Sequence, residues 1–501
     1  MGSNTSKPTR QATYKTAVAS SSSDDDELVY KLQHLLGTTS TANDDDDDDD
    51  DEGQATELNP ISINNLNKWE ESLLADPKNQ LALNCFTGND ITKIIANTSK
   101  MNQNNVDLFN VTVKFEGGPI TNQKSSGRCW LFASTNVFKE FMKNKYNLDS
   151  FEFSQNYLFF HDKLQKCNWF LNRILDSYDE DLDSRFVQFL LQLPENDGGQ
   201  WDMVQNLLTT VGLVPKSLYP DSASSISSSR LNYFINNKLR EFALILRKLK
   251  SDEKATEIKE VKESMLKEIY DILALTLGVP PKPTDEITWE YKDKFGNFHL
   301  IKTTPLNFYK DLLGFPAENY FSLIHDPRNT EGLYTVDRLG NIEGGKPIEY
   351  VNTSINNLKE AAIAMLQANE PVFFGSDVGK FEDTTIGLLD VESWDYQLGF
   401  GSGMNLSKKQ RLLSGSSQMT HAMVLTGVHL IDGKPVRFRV ENSWGEYGEH
   451  KGYFVMSDKW FDEYVLQIVT CEKYTKKHLT NLWKGKDYSV LPYYDPMGSL
   501  A

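Results

Sequence analysis

Three side chains, Cys129, His421 and Asn442, are of the types that together perform thiol-based acyl transfer. His421 and Asn442 flank the dipeptide Asp432-Gly433, which is a strong signal for a two-residue hairpin turn. If these two residues form the turn, Asn442 faces Met423, and His421 lies two positions away on the same face of its strand. The imidazole and the carboxamide are then diagonal neighbours. The sequence therefore predicts that the two side chains touch, provided that no bulge shifts the register.

A contact between these two side chains would suit a cysteine nucleophile. The Asn442 oxygen can accept one ring N–H of His421, which leaves the other ring nitrogen to face the thiol of Cys129. Cys129 lies in the first turn of a predicted helix, where the helix dipole and a nearby imidazolium are expected to lower the thiol pKa. Gln123, on the loop that enters this helix, can donate amide hydrogens to a developing oxyanion, together with the backbone N–H of Cys129.

Each of these residues also has an ordinary structural interpretation. A cysteine at a helix start is usually a small buried side chain, and a histidine at a strand start is usually structural. The segment Asn-Ser before Trp-Gly is by itself typical of a turn. The hypothesis of catalysis therefore depends on the joint occurrence of the three residues with supporting local structure.

The element that must position the nucleophile is a helix predicted over 127–145. Its apolar residues recur at three- and four-residue steps, and Ser125 and Ser126 are its expected caps. Further predictions are helices at 65–74, after Asn89 with Asp90 as cap, and at 231–250, 255–276 and 355–368, a strand pair within 287–303, a strand at 371–375 and a loop at 222–229.

The charge of the chain is unevenly distributed. The 501 residues carry a formal net charge of −18, and fourteen acidic side chains against four basic ones lie in residues 1–60. A net negative charge disfavours nonspecific binding of nucleic acid. Such binding would require a basic surface that forms only when the chain folds. The length allows a large core and more than one domain or a large insertion.

Residues 1–60 are expected to form a disordered acidic arm, because serine runs and the eight aspartates 44–51 bury too little apolar surface. Gly2 followed by Ser6 matches the N-myristoylation pattern, so a membrane partner is expected only if Gly2 is acylated. The alternative is that such a start carries no signal. We find no apolar segment of membrane-spanning length and no apolar core of a secretory signal at the start.

The cysteines indicate the redox setting. Four of them are scattered along the chain and fit neither a disulfide framework nor a metal-ligand spacing: Cys85, Cys129, Cys167 and Cys471. This pattern favours a reducing, cytoplasmic location, and the sequence gives no indication of a metal or cofactor.

Around the candidate catalytic residues the chain resembles the papain-like cysteine peptidases. The segments that carry the resemblance are Gln123…Cys129-Trp130, His421-Ala422 and Asn442-Ser443-Trp444-Gly445. Within that group it is similar to the bleomycin hydrolase family. The matching segments are 123–133, 197–202, 374–379, 419–423, 441–446 and 495–498. They extend from about residue 60 to the C-terminus, so only the acidic arm is left uncovered.

The resemblance implies an α+β fold of the papain-like, two-lobed kind, with a helical lobe, a β-barrel-like lobe and a large helical insertion. The expected divisions are a disordered acidic arm 1–60, an N-terminal segment and helical catalytic lobe 61–221 with Cys129, a mainly helical insertion 222–354, a β-rich lobe 355–490 with His421 and Asn442, and a C-terminal arm 491–501 in the cleft. The long separation of Cys129 and His421 fits this insertion.

The resemblance also implies an activity and an assembly. It implies a cytoplasmic aminopeptidase that removes N-terminal residues from peptides and hydrolyses bleomycin and homocysteine thiolactone through an acyl-enzyme on Cys129. It implies a homohexamer with an internal channel, and a C-terminal carboxylate on Ala501 that pairs with the free amino group of the substrate. Gly198 and Gly199 match backbone that runs beside an extended substrate, although a plain tight turn is the alternative.

Two rival functions remain at this point. A mobile C-terminal arm would make the protein a papain-like endopeptidase. A scaffold that binds nucleic acid, as a sole or secondary activity, is disfavoured by the complete set of catalytic residue types and by the acidic arm. One departure from the family concerns Glu441, which stands where related chains usually have Asp and is expected to point away from His421 and to matter little.

Overall fold

The computed structural model describes residues 60–114, 119–252 and 255–500, so the expectations for residues 1–59, with Gly2 and the aspartate run, and for Ala501 lie outside the described residues. The α-helices are α1 Ile63–Ala75, α2 Pro77–Phe86, α3 Ile91–Ile94, α4 Thr98–Asn104, α5 Cys129–Tyr146, α6 Gln155–Asp176, α7 Arg185–Gln192, α8 Trp201–Val211, α9 Ala223–Ile226, α10 Ser229–Ser251, α11 Ala255–Leu277, α12 Pro305–Asn307, α13 Ile355–Gln367, α14 Tyr396–Phe400, α15 Lys408–Leu413, α16 Asp458–Tyr464 and α17 Lys477–Gly485. A π-helical turn, Phe308–Leu313, follows α12.

The strands are β1 Val111–Thr112, β2 Ile287–Lys292, β3 Phe298–Thr303, β4 Tyr320–Ile324, β5 Gly332–Val336, β6 Tyr350–Asn352, β7 Val372–Ser376, β8 Glu382–Asp383, β9 Leu388–Leu389, β10 His421–Ile431, β11 Lys434–Glu441, β12 Tyr453–Ser457, β13 Val465–Cys471 and β14 Tyr488–Leu491. Helices and one large sheet therefore occur together, and the expected α+β class is confirmed.

Within the described residues, twelve strands form one mixed sheet. Its order is β14-β5-β6-β4-β13-β7-β10-β11-β12-β9-β8, and β1 pairs with β10. β10 has antiparallel partners on both sides, β7 and β11, and helix α5 packs against it. This packing brings the start of α5 and the start of β10 to the same region of the molecule.

The hairpin β10–β11 turns at 432–433 as predicted, with positive φ at both residues. Its pairing starts in the predicted register, is shifted by one residue over 427–429, and returns to the predicted register where Leu425 faces Val440. One bulge on each strand produces the shift, and the two bulges cancel. The candidate catalytic side chains beyond them therefore keep the diagonal relationship that the sequence predicts.

The chain divides into two compact units. The first comprises Thr98–Ser393 and the residues from Leu406 onward, and it contains the whole large sheet. The second comprises the described residues up to Asn97 together with Trp394–Asn405, where the rings of Phe86 and Phe400 stack with their centroids 4.8 Å apart. The described residues up to Asn97 therefore belong to a different compact unit from Cys129.

The expected insertion 222–354 contains strands as well as helices. Its first part holds the long helices α10 and α11, as predicted, but β4, β5 and β6 lie in the large sheet. Every residue of β4 is buried, because β13 and β6 flank its edges and helices α8 and α13 pack against it. A strand buried on both faces lacks the alternation of apolar and polar residues by which sequence analysis finds strands.

The expected loop at 222–229 also contains structure. Helix α9 forms there because Ser222 and Ser225 bond reciprocally as a capping box. The other local predictions are confirmed within one to two residues, including Asp90, whose side chain caps α3. Among the described helices, none combines the length and the apolar character needed to cross a membrane.

Candidate active site

Cys129 is the first residue of α5, as the sequence predicts. The expected caps do not form, since the N-cap residue is Arg128 and no side chain caps the helix. Ser126 is engaged elsewhere, because its Oγ donates to the carbonyl oxygen of Gln123 at 2.6 Å and accepts from Nε of Arg128 at 2.9 Å. The loop before α5 is thus held by its own hydrogen bonds, and no side chain caps the first N–H groups of the helix.

His421 and Asn442 are in contact, with Nε2 of the imidazole 2.8 Å from Oδ1 of the carboxamide. The same oxygen accepts the backbone N–H of Ser443 at 2.7 Å, which identifies it as the carbonyl side of the amide. Because that oxygen can only accept, Nε2 of His421 carries a proton. Nδ1 is therefore the unprotonated nitrogen of the neutral ring, and it is the atom available as a base.

Aromatic and polar neighbours fix this pair in place. The indole of Trp444 covers the ring of His421, with centroids 4.9 Å apart. Ser443 is joined to Gln123 twice, because its carbonyl oxygen accepts the backbone N–H of Gln123 at 2.8 Å and its Oγ donates to Oε1 at 2.7 Å. The loop before Cys129 and the segment after Asn442 are consequently one hydrogen-bonded unit.

The amide of Gln123 is oriented by these bonds. Its oxygen accepts from Ser443, and its Nε2 donates one hydrogen to the carbonyl oxygen of Ser126 at 2.7 Å. The second Nε2 hydrogen remains to serve a group in the cleft, which Gln123 lines together with Cys129 and His421. The structure thus brings all four predicted catalytic residues together.

Burial determines the protonation states of Cys129 and His421 in the cleft. Cys129 is only 2% exposed, and burial raises the pKa of its thiol to about 11, although backbone N–H groups of Ala422 and Trp130 favour the thiolate. Burial also lowers the pKa of His421 to about 4, against the effect of its bond to Asn442. The expectation that the helix start lowers the thiol pKa is therefore wrong here, because desolvation outweighs the helix terminus.

One cleft of about 1050 Å³ contains these groups, and the C-terminal segment forms part of its wall. Nε2 of Gln200 donates to the carbonyl oxygen of Ser499 at 2.9 Å, and Oγ of Ser499 donates to the carbonyl oxygen of Met419 at 2.8 Å. Met497 is fully buried, and Leu500 lines the cleft. The described part of the expected C-terminal arm thus lies beside Cys129, whereas Ala501 lies outside the described residues.

The two glycines expected beside a substrate have different surroundings. Gly198 lines the cleft, but its N–H donates to Oδ1 of Asn196 at 3.0 Å and its carbonyl oxygen accepts from Nζ of Lys166. Gly199 packs against the indole of Trp130, since an added Cβ would lie 2.4 Å from the ring. Glycine is therefore required at 199 because the indole of Trp130, the residue after the nucleophile, leaves no room for a side chain.

Glu441 turns away from His421, as expected, but it is engaged in a buried ion pair. Its Oε1 lies 2.8 Å from Nζ of Lys139 on the nucleophile helix, and both side chains are almost completely buried. The pair joins the helix of Cys129 to the end of β11, immediately before Asn442. The sequence reasoning missed this link, because a lysine in a helix is usually a solvent-exposed residue.

Sequence reasoning also missed the contacts that hold the cleft together. Asp197 belongs to a segment that the resemblance matched, but no role was derived for it. The anchoring contacts of the C-terminal segment join residues far apart in the chain, so no local pattern could have indicated them. Among the described residues, no group of three or more His, Cys, Asp or Glu side chains could hold a metal ion.

Comparisons with known proteins show the family of the chain. The model of the Peptidase C1-like family matches residues 60–498. The chain is 41% identical over 450 residues to cysteine proteinase 1, mitochondrial, of Saccharomyces cerevisiae, covering 88% of this chain and 93% of that protein. It is 42% identical over 444 residues to bleomycin hydrolase of Mus musculus, covering 86% and 96% of the two chains.

Two bacterial proteins show the same similarity. Aminopeptidase C of Lactobacillus delbrueckii subsp. lactis is 40% identical over 450 residues, which are 88% of this chain and 98% of that protein. The crystal structure of PepW from Lactobacillus rhamnosis superposes with a TM-score of 0.86 at 41% identity, covering 88% of this chain and 99% of that one.

Proposed function

The chain belongs to the Peptidase C1-like family and has the papain-like α+β fold, and we propose that this cysteine peptidase is an aminopeptidase of the bleomycin hydrolase type. Cys129 is its nucleophile, His421 its base and acid, Asn442 the group that orients the imidazole, and Gln123 an oxyanion donor. The observation that carries the proposal is the C-terminal segment beside Cys129 in the cleft.

The C-terminal segment supports cleavage at the N-terminus of a peptide. Ser499 is bonded to two segments next to the cleft, to Gln200 at the start of α8 and to Met419 just before β10. A segment held in this way fills the space that residues before the cleaved bond of a longer substrate would need. The terminal carboxylate on Ala501 is proposed to pair with the free amino group of the substrate.

The proposed chemistry is acyl transfer through a thioester. Nδ1 of His421 takes the proton from the sulfur of Cys129, and the sulfur attacks the carbonyl carbon of the first peptide bond. The backbone N–H of Cys129 and Nε2 of Gln123 bind the oxygen as it gains negative charge. The C–N bond then breaks, and His421 gives its proton to the departing amine.

The second half of the reaction repeats these roles with water. His421 removes a proton from the water that attacks the thioester carbon, and it returns the proton to the sulfur as the carboxylic acid leaves. The carboxamide of bleomycin and the thiolactone of homocysteine each have an acyl carbon that the sulfur of Cys129 can attack in the same way. Both compounds are therefore proposed as additional substrates. The name of the mouse relative supports the first of these.

The apolar face of α1 supports assembly with further copies of this chain. Four of its large apolar side chains are each at least half exposed and lie at helical spacing: Ile63, Leu66, Trp69 and Leu73. An exposed apolar stripe of this kind is typical of an interaction surface. We therefore propose that α1 takes part in a homohexamer. Nucleic-acid binding is proposed at most as a secondary activity.

Assembly can be tested with a matched pair of variants. Trp69→Glu places a charge in the apolar stripe and is expected to reduce the mass of the assembly measured by light scattering. Lys68→Glu places the same residue one position away, off the stripe, and is expected to leave that mass unchanged. An unchanged mass for Trp69→Glu would contradict the role of α1.

A reducing compartment is proposed as the working location. All four cysteines are free thiols, which is the state that a cytoplasmic protein keeps. Attachment to a membrane is proposed only for a chain that is acylated at Gly2, and the mass of the intact native protein tests this modification.

The aminopeptidase proposal is tested with a peptide that has a free amino terminus and its N-acetylated counterpart. We expect the acetylated peptide to be cleaved about 100-fold more slowly, because it cannot offer an ammonium group to the C-terminal carboxylate. Removal of Ala501 is expected to shift cleavage toward interior bonds. Equal rates for the two peptides would favour the alternative, a papain-like endopeptidase.

A further inference from the structure

The carboxylate of Asp197 is a meeting point of four segments around the nucleophile. Oδ2 accepts the backbone N–H of Gly127 at 3.0 Å and the hydroxyl of Ser228. Oδ1 accepts from Nδ2 of Asn232 at 2.8 Å and lies 2.8 Å from Nζ of Lys163. Both oxygens are thus fully engaged by donors from different parts of the chain.

The main chain of Asp197 contacts the other side of the nucleophile. Its carbonyl oxygen accepts Nε1–H of Trp130 at 2.8 Å, and the same indole packs against Gly199. Gly127 lies two residues before Cys129, and Trp130 directly follows it. Asp197 is therefore bonded to the chain on both sides of the nucleophile.

Buried charges keep Asp197 ionised. Burial disfavours its charge, but attraction to Lys163 and the bonds from Lys163, Ser228 and Gly127 outweigh that effect and hold the pKa of Asp197 well below its usual range. Lys163 itself is completely buried and also lies 2.8 Å from Oε2 of Glu195. Its charge remains compensated by Glu195 if Asp197 is neutralised.

We propose that Asp197 is a positioning residue that holds the nucleophile loop and the glycine segment 198–199 as one rigid unit. All four cysteines are free, so no disulfide joins these two segments. The carboxylate supplies the connection instead, and Ser228 and Asn232 extend it to the beginning of α10. The inference rests on the proposed function for the identity of the nucleophile, and one of its two measurements, the alkylation of Cys129, does not require peptide cleavage.

The test compares Asp197→Asn with Glu195→Gln. Each variant removes one carboxylate from Lys163, but only Asp197 is bonded to the nucleophile loop. Two quantities are measured: the pH dependence of alkylation of Cys129 by iodoacetamide, and kcat/KM for a free-amine peptide. Thermal unfolding is recorded for both variants to confirm that they fold.

For Asp197→Asn we expect kcat/KM to fall about 100-fold, because a small displacement of the nucleophile is enough to cause such a loss. The pH midpoint of alkylation is expected to move downward, since the negative charge of Asp197 raises the pKa of the Cys129 thiol. A purely structural residue would not move this midpoint in a folded variant. Glu195→Gln is expected to keep kcat/KM within about threefold of the parent.

Equal losses in the two variants would overturn the proposal, because they would assign the effect to charge balance around Lys163. A folded Asp197→Asn protein with an unchanged alkylation profile would also overturn it. If Asp197→Asn does not fold, the half-buried Asn232→Ala decides the matter. This variant removes the bond from Nδ2 of Asn232 to Asp197 and the bond that Oδ1 of Asn232 accepts from Nζ of Lys163 at 2.7 Å. We then expect a loss in kcat/KM of about fivefold or more, and an unchanged value would overturn the proposal.

Alkylation by iodoacetamide does not depend on how a peptide is bound. A failure of the aminopeptidase assignment would appear as equal cleavage of free and acetylated peptides, with the alkylation results unaffected. The two proposals can therefore fail separately.

Discussion

Nε2 of His421 lies 2.8 Å from Oδ1 of Asn442, across a hairpin whose two bulges cancel. The contact fixes the tautomer of the imidazole and leaves Nδ1 as the base for Cys129. A single unpaired bulge would have moved Asn442 to the opposite face of the sheet relative to His421. The register of this hairpin is thus a direct condition for the proposed chemistry.

Replacement of Asn442 by alanine removes the acceptor that orients His421. We expect kcat/KM to fall on the order of 100-fold, because proton transfer by a positioned imidazole contributes an effect of this size. The loss should appear mainly in kcat, measured by steady-state kinetics with a free-amine peptide. Asn442→Asp restores an acceptor and is expected to recover part of the loss, and an alanine variant with unchanged kcat would contradict the orienting role.

The activity is expected to have an acid limb near the lowered pKa of His421. Burial lowers this pKa to about 4, so the imidazole is neutral and can accept the thiol proton at neutral pH. As the pH falls through about 4, the ring becomes protonated and loses this capacity, and kcat/KM should fall with it. An acid limb centred near the ordinary histidine value of about 6.5 would contradict the buried site.

Folding must be monitored in the same pH range. Burial also lowers the pKa of His161 and His325 to about 4, so these two side chains bind more protons in the unfolded chain than in the folded chain between the ordinary histidine pKa and this value. Their contribution to the free energy of unfolding should therefore decrease as the pH falls through that window, whereas Glu195 and Glu382, whose pKa burial raises to about 7, add a contribution of the opposite sign. Circular dichroism at each pH separates this loss from the titration of the active site.

Loosening the C-terminal segment should relax the selectivity for free amino termini. The ring of Tyr493 packs against Phe186 and Phe189, with centroids 5.1 and 4.8 Å apart. Tyr493→Ala removes both contacts and is expected to increase cleavage of an N-acetylated peptide about tenfold relative to the free-amine peptide. Val490→Ala changes a nearby side chain that is 42% exposed and does not line the cleft, and it serves as the control. The same ratio in both variants would contradict an anchoring role for Tyr493.

The buried pair of Lys139 and Glu441 gives a prediction about stability. Glu441→Gln removes the 2.8 Å partner of the Lys139 ammonium and leaves the carboxylate of Glu140 at 4.0 Å, so the free energy of unfolding should fall by about 3 kcal/mol, the lower end for a broken buried pair. The double variant Lys139→Met with Glu441→Leu removes both charges and should be closer to the parent. Urea denaturation measures both values. A loss in the double variant as large as in Glu441→Gln would contradict the assignment.

Local patterns predicted much of the fold and most of the site. The turn at 432–433 and the apolar periodicity of α5 were sufficient to bring His421 and Asn442 together and to place Cys129 at a helix start. The strands β4 to β6 were missed, because a strand covered on both faces has no alternating pattern.

Properties that depend on burial could not be read from the sequence. The thiol pKa of Cys129 is raised because protein atoms surround the cleft, among them the residues of the C-terminal segment. The connections through Asp197 and Glu441 join residues separated by long stretches of chain, and their side chains are of types that are usually exposed. Only the assembled tertiary structure reveals that they are buried and paired.

The most direct test of the account is stoichiometric labelling with a thiol-directed peptidase inhibitor, followed by mapping of the modified residue. We predict one equivalent of label on Cys129, with complete loss of activity, and no labelling of a Cys129→Ser variant at that position. Modification of Cys85, Cys167 or Cys471 in its place, or peptide turnover retained by Cys129→Ser, would contradict the assignment of the nucleophile.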